Sequence, residues 1–180
     1  MLAIVATSIG AIAHAQETTR TSPEEAQPAV LVQESRVYDP VRDGDPVLNN
    51  LQRRTFRYFW QTANPDNGLV PDRYPTPSFA SIAGMGFALT AYVVGVERGY
   101  VTRAQARART LRTLRFLARL PQGPQEQGTA GYNGFYYHFL HMDSGHRFGT
   151  TELSTVDTAL LLAGVLLAQT YFDNDSRGER

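Results

Sequence analysis

The sequence predicts an all-α fold of the α/α-barrel kind, in which helical hairpins supply an outer and an inner layer. Four helical segments follow one another, and they alternate: amphipathic, apolar all round, amphipathic, apolar all round. An amphipathic helix needs one covered face, whereas a helix apolar on every side needs cover on every side. The alternation therefore reads as outer helices followed by inner ones, where a simple bundle would need four amphipathic helices. Four helices cannot close a ring, and the sequence stops at Arg180, so it reads as the N-terminal part of a longer barrel.

The first helix runs from about Pro46 to Ala63, with Asp45 as N-cap and Pro46 at the first helical position. Leu48, Leu51, Thr55, Phe56 and Phe59 form an apolar stripe opposite Gln52, Arg53, Arg54 and Arg57. The breaker cluster Asn64-Pro65-Asp66-Asn67-Gly68 ends it. The second helix, about Ser81 to Arg98, carries no charge before Glu97 and is closed by Gly99. Its small residues Ala83, Gly84, Gly86 and Ala88 allow a neighbouring backbone to come close. The third, about Thr102 to Leu120, places Ala104, Ala108, Leu111, Leu114 and Leu117 on one stripe. Arg103, Arg107, Arg112, Arg115 and Arg119 lie largely elsewhere on that helix. The fourth, about Ser154 to Phe172, is apolar nearly all round.

Composition narrows the function classes. An apolar share of 42% and an aromatic share of 11% are globular values, so a disordered chain is excluded. The net charge is zero, and the Arg-rich face of the third helix has no aromatic interleaving. That face reads as solvated, and no nucleic-acid partner is expected. All 17 basic residues are arginine, which we read as codon bias of a GC-rich genome. The absence of cysteine excludes disulfides, thiolate nucleophiles and Cys-ligated zinc.

Residues 1–15 read as a signal peptide. Leu2 to Ala13 is apolar and small, and Ala13-His14-Ala15 has the small-x-small form of a cleavage site. The run is too short to span a bilayer, so no membrane insertion is expected after its removal. The competing reading is a frayed N-terminal helix, and the usual basic n-region is missing. Residues 16–45, rich in Pro, Glu, Gln and Asp, read as a polar linker or arm ahead of the barrel portion at 46–180. The expected location is periplasmic or secreted.

Chemistry concentrates between the third and fourth helices. Gly134 to Met142 reads as a strand, Asp143-Ser144-Gly145 as a turn and His146-Arg147-Phe148 as a short return strand. Its aromatic residues suit stacking on sugar rings, and equally suit pinning the hairpin to the barrel. His138 and His141 would face opposite sides of a strand, and no clear carboxylate partner accompanies the histidines, so no metal is expected. Glu152 and Asp157 flank the start of the fourth helix. Ser154 with Asp157 three residues on fits a capping box, whereas Glu152 lies outside it. The helix dipole favours ionised carboxylates there, and burial in an apolar mouth would act the other way. Asp72-Arg73 lies in the loop between the first two helices, read either as a local ion pair or as a sugar contact. Both loops must open on the same end of the barrel.

The stretches LQRRTFRYFW, NGLVPDR, SIAGMGFALTAYVVGVERGYV, GFYYHFLHMDSG and TELSTVDTALLLAGVL together resemble the glucoamylase-like family. That group is related to bacterial endo-β-1,2-glucanases and to the glycan-cutting region of cyclic β-1,2-glucan synthases. The resemblance spans about Asp45 to Asp173 and implies an (α/α)6 toroid, an anionic pocket at one mouth and action on β-glucan, with β-1,2 the linkage expected. The family is longer than this chain. Asp157 matches the later acidic residue of the glucanase pattern, while Ser154 stands where that pattern has Asp. The expectation is an exported glycoside hydrolase with an oligo- or polysaccharide substrate and no cofactor. Glu152 and Asp157 are the expected catalytic pair, Asp72 and Arg73 the sugar-hydroxyl contacts, and Trp60, Tyr137 and His138 the subsite walls. The alternatives are a glycan-binding protein without catalysis, or a transglycosylase or phosphorylase on the same barrel.

Overall fold

The computed structural model describes residues 44–173, all within one compact unit (38–180). The expected signal peptide and most of the expected linker lie outside the described residues. Four helices and four two-residue strands follow in the order α1 (Pro46–Thr62), β1 (Ala80–Ser81), α2 (Ile82–Glu97), α3 (Arg103–Arg119), β2 (Gly131–Tyr132), β3 (Phe135–Tyr136), β4 (Phe139–Leu140) and α4 (Thr155–Phe172). Each helix begins where its cap residue stands. Asp45, Ser81, Thr102 and Ser154 each accept a hydrogen bond from a backbone N–H of the first turn.

Helix α2 is the centre of the packing, with α1, α3 and α4 all against it. Met85, Ala88, Leu89 and Tyr92 are fully buried on it. Burying a side chain of Leu or Met size contributes roughly 1.5–3 kcal/mol, so this one helix anchors the core. Its small residues do what their spacing predicts. A Cβ on Gly86 would stand 2.2 Å from the Leu160 carbonyl oxygen, and one on Gly164 would stand 2.3 Å from the Gly86 carbonyl oxygen. Only glycine lets the backbones of α2 and α4 meet. The two helices run in the same direction, since Gly86 lies beside Leu160 and Glu97 accepts from the Tyr171 hydroxyl at 2.5 Å.

Two expectations about the helices change. The buried stripe of α3 is Ala106, Thr110, Thr113 and Leu117, not the Ala104–Ala108–Leu111 line. Thr113 is chosen for size, because it lies against Gly68, where the chain turns at positive φ. The helix therefore presents small polar residues to a tight loop and leaves Leu111 and Leu114 at the margin. Helix α4 is buried along one face only, through Leu161, Gly164, Ala168 and Phe172. Val156, Leu162 and Leu166 are 68%, 54% and 62% exposed, so its second apolar face meets no cover among the described residues. Leu48 and Leu51 of α1 are likewise exposed, and with Phe87 they line an apolar recess of about 450 Å³.

The aromatic hairpin is also divided more finely than its pattern suggests. Gly134 to Met142 is not one strand, because β3 and β4 have different partners. β3 pairs back onto β2 through a turn at Asn133-Gly134, both at positive φ. β4 pairs antiparallel with β1, the residues just before α2. The return at His146–Phe148 is present as the Leu140–Arg147 bridge and the Phe148 N–H donating to the Phe139 carbonyl at 2.9 Å. The β1–β4 pairing is what brings the two long loops to one end of the molecule.

Candidate active site

The site forms where the strand-like run 136–138 lies antiparallel along the chain leading into α4. The Ser154 N–H donates to the Tyr136 carbonyl at 3.0 Å, and the His138 N–H donates to the Glu152 carbonyl at 2.9 Å. The Tyr136 N–H donates to Thr158 Oγ1 at 3.0 Å. On the other side the Ile82 N–H donates to the His138 carbonyl at 3.1 Å, which ties the same residue to the start of α2. His138 is thus fixed by main-chain bonds to the start of α2 and to the segment leading into α4, fourteen residues from its first acidic neighbour and nineteen from its second.

Its ring stands between the two expected carboxylates. His138 Nδ1 is 2.9 Å from Glu152 Oε1, and Nε2 is 3.6 Å from Asp157 Oδ1. The ring stacks on Phe139 at 3.8 Å between centroids and 26° between planes. The expectation that no carboxylate accompanies the histidines is corrected here. The residues are remote in sequence, and only the antiparallel run along 152–154 makes them neighbours. Among the described residues no cluster of three or more His, Cys, Asp or Glu side chains has the arrangement of a metal site.

The two carboxylates differ in setting. The Glu152 side chain is 68% exposed and that of Asp157 only 12%. The Glu152 pKa lies below the ordinary glutamate value. Its own backbone N–H is the largest cause and the His138 hydrogen bond the next; desolvation opposes them, and the charges of His138 and Arg147 lower it further. Of the two tendencies weighed from the sequence, stabilisation of the anion wins, because Glu152 is not buried. Asp157 is buried inside half of a capping box. Its N–H donates to Ser154 Oγ at 3.1 Å, and the Ser154 hydroxyl donates in turn to Asp157 Oδ2. The Ser154 N–H, which a full capping box would give to the Asp157 side chain, goes to Tyr136 instead. Asp157 Oδ1 is left turned toward His138.

The other expected residues separate. Arg73 lies over the Phe79 ring at 5.3 Å, and Phe79 packs on Phe139 at 4.1 Å and on Phe148 at 4.7 Å, so Arg73 borders the mouth. Asp72 donates its N–H to the Phe79 carbonyl and is exposed toward α1, where its charge adds to burial in raising the Tyr58 pKa. Tyr137 is not a subsite wall. It is 6% exposed, with Arg147 over its ring at 4.3 Å, because the run 136–138 alternates faces and Tyr137 takes the inward one. Trp60 is not at the mouth either. It packs edge-on to Tyr92 at 5.5 Å, beneath the Arg109 guanidinium at 3.8 Å, in the seam between α1, α2 and α3. The exposed aromatics of this region are Tyr132 and Phe135, at 40% and 42%, which flank the β2–β3 turn. Their signal in the sequence is the turn pair Asn133-Gly134 between two aromatics, which the strand pattern from Gly134 onward conceals.

No family model matches the chain. It is similar to an exo-β-1,2-glucooligosaccharide sophorohydrolase (non-reducing end) of Parabacteroides distasonis, 29% identical over 147 residues. That match covers 78% of this chain and 19% of the relative. In structure it is similar to a candidate glucoamylase of Bacteroides uniformis, with TM-score 0.62 and 33% identity over 73% of this chain and 31% of that one. The β-1,2-glucanase of Parabacteroides distasonis matches with TM-score 0.64 and 27% identity, over 73% of this chain and 18% of that one. The resemblance to the glucoamylase-like family holds in sequence and in fold. The four helices and the aromatic β-structure match part of the fold of these proteins, and the chain spans about a third or less of the relatives it matches.

Proposed function

We propose that this protein is a glycoside hydrolase of β-glucan, with β-1,2-linked glucan as substrate, and that Glu152 and Asp157 carry the chemistry. One observation supports this above the others: the two carboxylates face opposite nitrogens of a single imidazole at the mouth shared by α2 and α4. Glycoside cleavage needs a proton donor for the leaving oxygen and a carboxylate that activates water or attacks the anomeric carbon. Glu152, exposed and held ionised, suits the carboxylate role. The proton donor is then drawn from the His138–Asp157 side, where Asp157 is the more buried of the two carboxylates. Arg73 and the faces of Tyr132 and Phe135 are placed to meet sugar, since a pyranose CH face stacks on an aromatic ring. The names of the similar proteins supply the linkage.

The decisive assay is reducing-end release from linear β-1,2-glucan by the protein, beside Glu152→Gln and Asp157→Asn. Cleavage by wild type with a loss of about a hundredfold or more in each variant is expected, as for removal of an acid or base. Sugar binding without cleavage of β-1,2-, β-1,3- or β-1,4-glucan would make this a glycan-binding protein. Phosphate- or acceptor-dependent turnover would make it a phosphorylase or transglycosylase. We also propose export, on the apolar run Leu2 to Ala13 and the Ala13-His14-Ala15 site. A mature N-terminus at Gln16, read by intact mass, supports it, and retention of residues 1–15 sinks it.

A further inference from the structure

We propose that His138 is the positioning residue of this site: its imidazole stands between Glu152 and Asp157 and holds the two carboxylates one ring apart. The kinetic consequence rests on the glycosidase reading, whereas the placement of the ring rests on geometry.

The ring cannot turn to serve one partner alone. It stacks on Phe139, and its main chain bonds to Glu152 on one side and to Ile82 on the other. Glu152 is ionised and offers only lone pairs, so the Nδ1 that faces it at 2.9 Å carries a proton. Nε2 then faces Asp157 Oδ1 at 3.6 Å. That separation exceeds a hydrogen bond, so the ring bonds to Glu152 and meets Asp157 across a short gap. The other Asp157 oxygen is already taken by the Ser154 hydroxyl. The remaining charged and titratable groups around them are Arg147, which bears on Glu152, Arg73 over Phe79, and His141, whose ring lies against Phe148. The start of α2 brings Ser81 and Ile82, which carry no charge.

This placement assigns distinct effects to substitutions at one position. Asn can place its amide nitrogen where Nδ1 stands and keep the Glu152 contact, while Gln reaches the Nε2 position and keeps the Asp157 contact.

Two measurements test the proposal on the intact protein. In the first, His138→Ala loses about a hundredfold in kcat, the order expected of misplaced reacting groups, with KM changed less than about threefold. His138→Asn and His138→Gln recover part of that loss. An equal loss in all three variants, or a loss that falls on KM instead of kcat, overturns the proposal. In the second, nitrogen-15 NMR of the imidazole compares wild type with Glu152→Gln. The neutral ring of wild type carries its proton on Nδ1, and Glu152→Gln alters that balance. Identical ring-nitrogen shifts in the two proteins overturn the Glu152 contact. If wild type cleaves no glucan, the glycosidase reading fails, and the NMR measurement still decides the role of His138.

Discussion

Helices α2 and α4 are near twins as sequences and different as structural elements. Both are apolar nearly all round, both start at a serine N-cap, and both put a glycine where their backbones touch. Yet α2 exposes only Phe87 and Glu97, whereas α4 exposes an entire face. The difference lies in their neighbours. α2 has α1, α3 and α4 all packed against it, while α4 is packed mainly against α2. Apolar composition states how much cover a helix can use, and the surrounding elements decide how much it receives. The first turns differ as well. Position N3 is Gly84 in α2 and Asp157 in α4, so the same cap geometry serves structure in one helix and presents an acid to the mouth in the other.

The strongest way to break this comparison is to disturb the line that the twins share. Gly86→Leu drives a side chain into the backbone at Leu160 and Leu161, and overpacking of this kind costs about 3 kcal/mol or more. A fall in melting temperature of roughly 6 °C or more is expected by calorimetry at this chain length. An unchanged melting point would mean that α2 and α4 do not touch there. A smaller effect separates the two caps. Ser81→Ala and Ser154→Ala each remove a side chain that accepts from the first turn, at about 1 kcal/mol apiece in chemical denaturation. Only Ser154→Ala also frees Asp157 Oδ2, so only that variant is expected to lose glucan cleavage, by about tenfold or more. Equal activity of the two variants would detach Asp157 from the chemistry. The smallest effect belongs to the open face of α4. Leu166→Ala is expected to change stability by less than about 0.5 kcal/mol, as for an exposed position. A cost of several kcal/mol would show that the intact protein covers this face.

Much of the helical framework is legible in the residues themselves. The four helices fall where the caps and breakers place them, to within a residue or two, because Asp45, Ser81, Thr102 and Ser154 act locally on the first turn. The alternation of amphipathic and apolar helices points to the two layers, since burial follows the apolar period. Glu152 and Asp157 stand out because they are the only charged residues between positions 152 and 172.

Other features depend on contacts between distant residues. Nothing local says that β4 pairs with β1 as well as with its own return segment. Tyr137 and His138 are adjacent in sequence but point to opposite faces, so one enters the core and the other reaches the acids. Trp60 has the character of a sugar platform, but Arg109 and Tyr92, from two other helices, cover it. The sequence alone determined which segments are helical, which layer each prefers and which acids head α4, because caps, periodicity and composition act over a few residues. The tertiary structure alone decided that one histidine stands between those acids, because that depends on an antiparallel run joining residues fourteen and nineteen positions apart.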